Sequence, residues 1–262
     1  MSRWKGKWAL VTGASAGIGS ELARQLAAGG AHLLLTARRK DRLEKLAEEL
    51  RSRHGATVAV LAADLAQPGA ADAIFGYTSG KGIEVELLVN NAGFGVFGEF
   101  TRIPLERQLE MVQVNVSAVI HLTYLYLPGM LERRHGDILI VASTAGFQSV
   151  PYISAYAATK SFDLFFAGAL AEEVRPRGVR VCALCPGSTA TEFQQVAGQP
   201  DNSFRSAESA EKVARVGLEA MASGKSLIVS GGRNKFMVQS QRLAPRSLVA
   251  RVAAKMFRPG TQ

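Results

Sequence analysis

The sequence predicts an α/β fold, a mostly parallel sheet with helices on both faces. Short apolar runs alternate with longer segments of helical periodicity. The connections between them are short, as parallel strands with crossover helices require. The first run ends in a glycine turn that opens a helix. With 262 residues, 47% of them apolar and 20% charged, the chain suits one large domain with a full core.

Trp8–Thr12 (WALVT) is the first expected strand, followed by Gly13-Ala-Ser-Ala-Gly17-Ile-Gly19 and a helical pattern over Ser20–Ala28. Strand, glycine turn and helix in that order suit a dinucleotide. The glycines let the backbone approach closely, and the helix N-terminus offers free N–H groups to a pyrophosphate. Ala31–Thr36 is the second strand and ends in Ala37-Arg38-Arg39. An acid at such a strand end bonds a ribose 2′-hydroxyl, whereas arginine suits a 2′-phosphate. Arg38 fits the phosphate; Arg39 reads equally well as the start of a solvated helix. Asp41–Arg53 predicts that helix, with a capping-box-like Asp-x-x-Glu and apolar positions at 43, 46 and 50. Thr57–Ala62 is the third strand, with Asp64 just beyond it, and Pro68 starts another helix. Leu87–Val89 is a strand stopping at Asn90-Asn91-Ala92-Gly93, residues that tolerate unusual turns.

Asp137–Ala142 (DILIVA) reads as a buried strand, with Ser143 at its C-terminal tip. Tyr156 and Lys160 lie four apart on a helix running to about Arg175, so phenol and ammonium share a face. A cation there favours the phenolate, drawing the tyrosine from about 10 toward working pH, where it serves as general acid or base. A lone Tyr-x-x-x-Lys is commonly an ordinary surface pair, so the assignment rests on the rest of the chain. Val179–Leu184 is a strand, Ser206–Ala222 a helix and Ser226–Val229 a last short strand.

Thr12–Gly19, Asn90–Gly93, Asn115 within Leu109–Val119, Ser143, Tyr156-x-x-x-Lys160 and Pro186-Gly187 fall in one order and spacing. In this the chain resembles the short-chain dehydrogenase/reductase family over roughly residues 7 to 230. The resemblance implies a Rossmann doubly wound sheet of seven strands and hydride transfer with NADP(H). Its catalytic residues would be Asn115, Ser143, Tyr156 and Lys160. Gly13, Ser15, Ile18 and Gly19 would line the pyrophosphate, and Arg38 and Arg39 would take the 2′-phosphate. Asp64 and Leu65 would flank the adenine, and Asn91, with Ala92 and Gly93, the ribose. Pro186, Gly187 and Thr189 would border the nicotinamide, whose ribose Tyr156 and Lys160 would also reach. Ala16 stands where many NADP-preferring members carry a basic residue, which leaves the phosphate to the two arginines. The polar segment from 188 to about 206 resembles the substrate loop.

On this reading residues 1–232 form one domain and 233–262 a basic amphipathic extension. Net charge is +9, from 31 Lys and Arg against 22 Asp and Glu. Eight of the cations and none of the acids lie from Ala220 onward, so the rest carries 23 against 22. In the extension, Leu248, Val249, Val252 and Met256 share a helical face over Ser247–Phe257 and need a surface, either protein or anionic membrane. Docking on protein is favoured, with membrane contact weak, because Ala250 and Ala253 suit close packing.

No secretory leader opens the chain, and no run reaches the ~18 apolar residues of a membrane span, so a cytoplasmic enzyme is expected, membrane-peripheral at most. Cys182 and Cys185 face opposite ways on a strand and read as core, and no metal site is expected. The histidines at 32, 54, 121 and 135 show no ligand spacing. Phe162, Phe165 and Phe166 read as helix packing. Phe94, Val96, Phe97, Phe147 and Val150 point to an apolar carbonyl or secondary alcohol as substrate. The resemblance implies a homodimer or homotetramer. A non-catalytic NADP-binding regulator is the rival, against which the intact proton-transfer residues count. The tail lacks the interleaved aromatics of a nucleic-acid platform.

Overall fold

The computed structural model describes residues 2–198 and 207–258. The chain runs β1 (Trp8–Thr12), α1 (Gly17–Ala28), β2 (His32–Ala37), α2 (Lys40–His54), β3 (Val58–Ala62), α3 (Ala70–Gly80) and β4 (Val85–Asn90). It continues through α4 (Leu105–Val112), a π turn (Gln113–Ser117), α5 (Ala118–Arg133), β5 (Gly136–Val141), α6 (Ser154–Val174) and β6 (Val179–Cys185). Then come β7 (Thr189–Ala190), α7 (Phe193–Ala197), β8 (Glu208–Ser209), α8 (Ala210–Ala222), β9 (Leu227–Val229), α9 (Gly232–Ser240) and α10 (Arg246–Phe257). Residues 199–206 of the expected substrate loop, and Ser206 of the expected helix, lie outside the described residues.

Seven strands pair in the order β3-β2-β1-β4-β5-β6-β9, every pair parallel. The doubly wound Rossmann sheet expected from the sequence is therefore present. Alternation along each strand divides the interior into two cores. Leu10, Leu34, Ile138, Ile140 and Cys185 pack under α3, α5 and α6, while Val11, Leu33, Leu139 and Cys182 pack under α1, α2 and α8. The two cysteines thus face opposite sides of β6, both buried. Chain order reverses at β1, whose neighbours are β2 and β4, and a crevice opens there beyond the strands' C-terminal ends.

The N-terminal turn is fastened to the sheet through one buried carboxylate. Asp137, at the start of β5, accepts from Arg3 (2.7 and 3.2 Å), from the Trp4 indole (2.7 Å) and from Arg180 on β6 (2.8 and 3.1 Å).

Several local expectations change. Asp41 lies inside the first turn of α2, whose N-cap is Arg39 with no side-chain cap, so no capping box forms. Phe162 and Phe166 stack, but Phe165 points outward, 79% exposed, because it lies on the far side of α6 from the sheet. With Leu105, Leu109, Val112, Ile120 and Tyr124 it makes the outer side of α4–α6 apolar. The continuous helix Leu105–Arg133 is long and apolar enough to cross a membrane, which run-counting in the sequence did not find. Its inner side, including Met111, Leu122 and Met130, is buried against the sheet, as in a core helix. Gly232, the expected last residue of the domain, is the first residue of α9, a helix the sequence did not announce, so the expected boundary falls inside a helix; α9 sits on the body through Val238. The helix α10 docks by a different face from the expected one. Ala253 is buried, with Val249, Ala250 and Phe257 half-buried, while Leu248, Val252 and Met256 remain exposed. Small side chains let the backbone approach, so the alanine stripe, not the bulkier one, meets the protein.

Candidate active site

A cavity of about 400 Å³ occupies the crevice. One end is the glycine turn. Gly13 has φ +65°, and a Cβ there would stand 2.8 Å from Asn91 and 2.9 Å from Ala92, so only glycine fits. Gly17 opens α1 with φ +57° and no side-chain cap at Ala16, leaving first-turn N–H groups toward the cavity. The cradle and the uncapped helix start fit a pyrophosphate. Gly13, Ser15, Ile18, Arg38, Arg39, Asp64, Leu65, Asn91, Ala92, Gly93, Pro186, Gly187 and Thr189 all line this cavity, as expected. Gly19 does not. It lies behind the turn, where a Cβ would meet Gly13 O and Asn91 Nδ2 at 2.4 Å. Its part is packing. Thr12 ties the neighbouring loop down: its hydroxyl accepts from Asn91 N (2.9 Å) and Ala92 N (3.0 Å). The Asn91 amide donates to Thr12 O at 2.8 Å, so that side chain is engaged in holding the loop.

At the other end Ser143, Tyr156 and Lys160 line the cavity together. Ser143 follows β5 and caps a short turn by accepting from Ala145 N at 3.1 Å, and its hydroxyl lies on the Tyr156 side of the cavity, where it pulls the phenol's pKa down. Tyr156 and Lys160 lie on the first turns of α6, both buried. The Lys160 ammonium donates to Val141 O (2.8 Å) and to Asp163 (2.9 Å). Asp163, 1% exposed and three residues on, is a member of the site that the sequence analysis missed, although its i+3 spacing from Lys160 is plain in the sequence.

This carboxylate changes the electrostatics. Burial pushes the Tyr156 phenol up; Lys160 and Ser143 pull it down, Asp163 pushes it up again, and the net direction is upward. The direction is opposite to the expected descent toward neutral pH, because burial outweighs the pull of Lys160, with Asp163 adding a smaller push in the same direction as burial. Burial works against the Lys160 ammonium, but Asp163 and Tyr156 outweigh it and keep it a cation. Burial also pushes the Asp163 carboxyl up, and its contact with Lys160 pulls it back.

Asn115 sits on the π turn, wholly buried and behind the cavity wall. Its amide donates to Phe94 O (2.9 Å) and Thr159 Oγ1 (3.1 Å), and its oxygen accepts from Phe94 N (3.1 Å). The side chain ties Phe94, just past the Asn90–Gly93 loop, to Thr159 on α6. Of the five apolar residues picked out in the sequence, only Phe94 lines the cavity; Val96 and Val150 are core, and Phe97 and Phe147 are half-buried elsewhere. The apolar wall is instead Ile153, Phe193, Val196 and Phe257. They come from a loop, a short helix and the tail, where no periodicity marks them.

A family profile described as short chain dehydrogenase matches residues 7–202. The very-long-chain 3-oxoacyl-CoA reductase of Pyrenophora tritici-repentis is 37% identical over 185 residues, 68% of this chain and 53% of that protein. Its namesake from Homo sapiens is 36% identical over 195 residues, 73% of this chain and 62% of that one. The chain thus aligns with little more than half the length of these relatives. Among solved structures, a short-chain dehydrogenase from Sphingobium yanoikuyae in complex with NADPH superposes with TM-score 0.82 at 29% identity, covering 90% of this chain and 94% of that one. A 7beta-hydroxysteroid dehydrogenase superposes with TM-score 0.87 at 27% identity, covering 96% and 98%. The chain belongs to the short-chain dehydrogenase/reductase family.

Proposed function

We propose that this protein reduces a bulky apolar ketone with NADPH. The observation that carries the reading is the pairing of two cavity ends: Ser143, Tyr156 and Lys160 at one, Arg38 and Arg39 beside acid-free Ala37 at the other. When bound, the nicotinamide supplies the hydride. Ser143 hydrogen-bonds the carbonyl oxygen, and Tyr156 donates a proton to it as charge develops there. A phenol held above its ordinary range stays protonated at neutral pH, which suits donation and hence the reductive direction. Lys160, anchored at Val141 O, holds positive charge beside the phenol and would reach the nicotinamide ribose of a bound cofactor. Asn115 fixes the loop behind it and supports the proton relay.

The substrate class rests on the apolar wall and on the relatives, which are named for long-chain oxoacyl and steroid substrates. Turnover over a panel of bulky ketones and oxoacyl thioesters tests it. No turnover, with cofactor bound, would favour a non-catalytic binder.

Cofactor choice gives a second test. Arg38 is 56% exposed and 3.5 Å from Glu110, free enough to turn to a phosphate. Charge-assisted contacts of about 1.5–3 kcal/mol correspond to NADPH binding roughly 10–150-fold tighter than NADH. Arg38→Ala is expected to remove much of that difference. Equal wild-type dissociation constants would sink the assignment.

The exposed apolar side of α4–α6 supports assembly of copies of the chain. Light scattering is expected to show a dimer or tetramer that Phe165→Glu dissociates; a wild-type monomer would refute it.

A further inference from the structure

Three successive residues at the start of α7, Thr191 and Glu192 before it and Phe193 opening it, line the cavity. The Thr191 methyl stands 3.0 Å from where a Cβ on Gly17 would be, so Thr191 touches the glycine turn. Glu192 bridges Arg39, which lines the expected phosphate end of the cavity, and Arg42 beside it, at 2.8 and 2.5 Å. Phe193 packs its ring 5.2 Å from that of Tyr156. Arg39 is held in place by the Ser15 hydroxyl of the glycine turn, 3.2 and 3.4 Å away. Arg42, one turn into α2, was not among the cofactor residues expected from the sequence.

A carboxylate gripped by two guanidinium groups beside a nucleotide cradle marks a site for an external anion. Both arginines hold the Glu192 carboxyl below its usual range, Arg42 more than Arg39. All three side chains are 40–43% exposed, so the contact is weak enough to be exchanged. A phosphate ester carries more charge and three acceptor oxygens.

We propose that Arg39 and Arg42 form an anion clamp that Glu192 fills in the free enzyme and the cofactor's 2′-phosphate takes over, releasing Phe193 from Tyr156. The inference rests on the NADPH reading and adds to it a residue, Arg42, and an order of events. The phosphate displaces Glu192, and because Glu192 and Phe193 are adjacent, the ring covering the proton donor loses its tether. The far end of α7 stays fixed through Phe97 N to Ala197 O at 3.0 Å, so the movement is a swing of the near end. Cofactor then binds before ketone.

The test measures dissociation constants of NADPH and NADH for the full chain and for Glu192→Gln, Arg42→Gln and the double variant. Glu192→Gln is expected to tighten NADPH about two- to fivefold, since an exposed competitor is removed, and to leave NADH unchanged. Arg42→Gln is expected to weaken NADPH about tenfold with NADH unchanged. In the double variant the gain from Glu192→Gln should shrink, because clamp and competitor act through the same contact. A wild-type preference for NADPH untouched by Glu192→Gln, or equal tightening of both cofactors, would overturn the clamp alone. Equal wild-type affinities would overturn the cofactor reading instead.

Discussion

Tyr156→Phe is expected to keep the fold and the NADPH dissociation constant while ketone reduction falls by about 10²–10⁴-fold, the usual range for a lost general acid. The ring stays, so its packing on Phe193 is preserved and only the hydroxyl and its proton go. The pH profile is a second readout. Reduction needs the phenol protonated, and its folded value lies above the ordinary one, so wild-type activity should hold through neutral pH and decline only in the alkaline range. Asp163→Asn removes the charge that helps hold the phenol up, so the decline should then begin at lower pH. A Tyr156→Phe variant within a few-fold of wild type would remove the tyrosine from the chemistry.

Much of the sheet, and the grouping of Ser143, Tyr156 and Lys160 at one cavity end, was legible because each rests on local spacing. The apolar runs marked the strands, and Tyr156 and Lys160 needed only one helical turn to meet. What escaped depends on distant segments. Asp163 was visible in principle, but its effect on Tyr156 depends on burial, which spacing does not give. Glu192 meets Arg39 and Arg42 across 150 residues or more, and no local pattern announces such a pair. The docking face of α10 was legible only in part: Ala250 and Ala253 were picked out for close packing, but hydrophobicity also put Leu248, Val252 and Met256 on that face, and these stay exposed. Gly19 looked like a phosphate contact because turn glycines share one spacing whether they face ligand or neighbouring backbone.

Asp137→Ala should be the most damaging substitution outside the cavity. The carboxylate is wholly buried and gathers Arg3, the Trp4 indole and Arg180. Its loss leaves the buried indole N–H without a partner and two arginines facing a small void. Removing one partner of a buried pair costs about 3–5 kcal/mol. The arginines are about a quarter exposed and can turn to water, so the lower half of that range is expected. The melting temperature should fall by on the order of 10 °C in a chain of this size. Burial pushes this carboxyl up to about 6, against the pull of Arg3 and Trp4. A folded value above the ordinary 3.8 means that its contribution is largest at low pH and declines as pH rises to about 6. Comparison at about pH 7.5 is therefore free of that titration. A loss below about 1 kcal/mol in denaturant unfolding would show that the N-terminal turn is not held by this cluster.

The placement of the two cysteines bears on how the protein ages under oxidising conditions. Three residues apart on one strand they are about 10 Å from each other, beyond the reach of a disulfide, and they point into different cores. Burial pushes the Cys182 thiol up to about 12 and Cys185 upward as well, so neither offers the thiolate that peroxide attacks. Oxidation of either sulfur therefore waits on the opening of its own side of the sheet. The first sulfenic acid to form would record which of the two layers gave way.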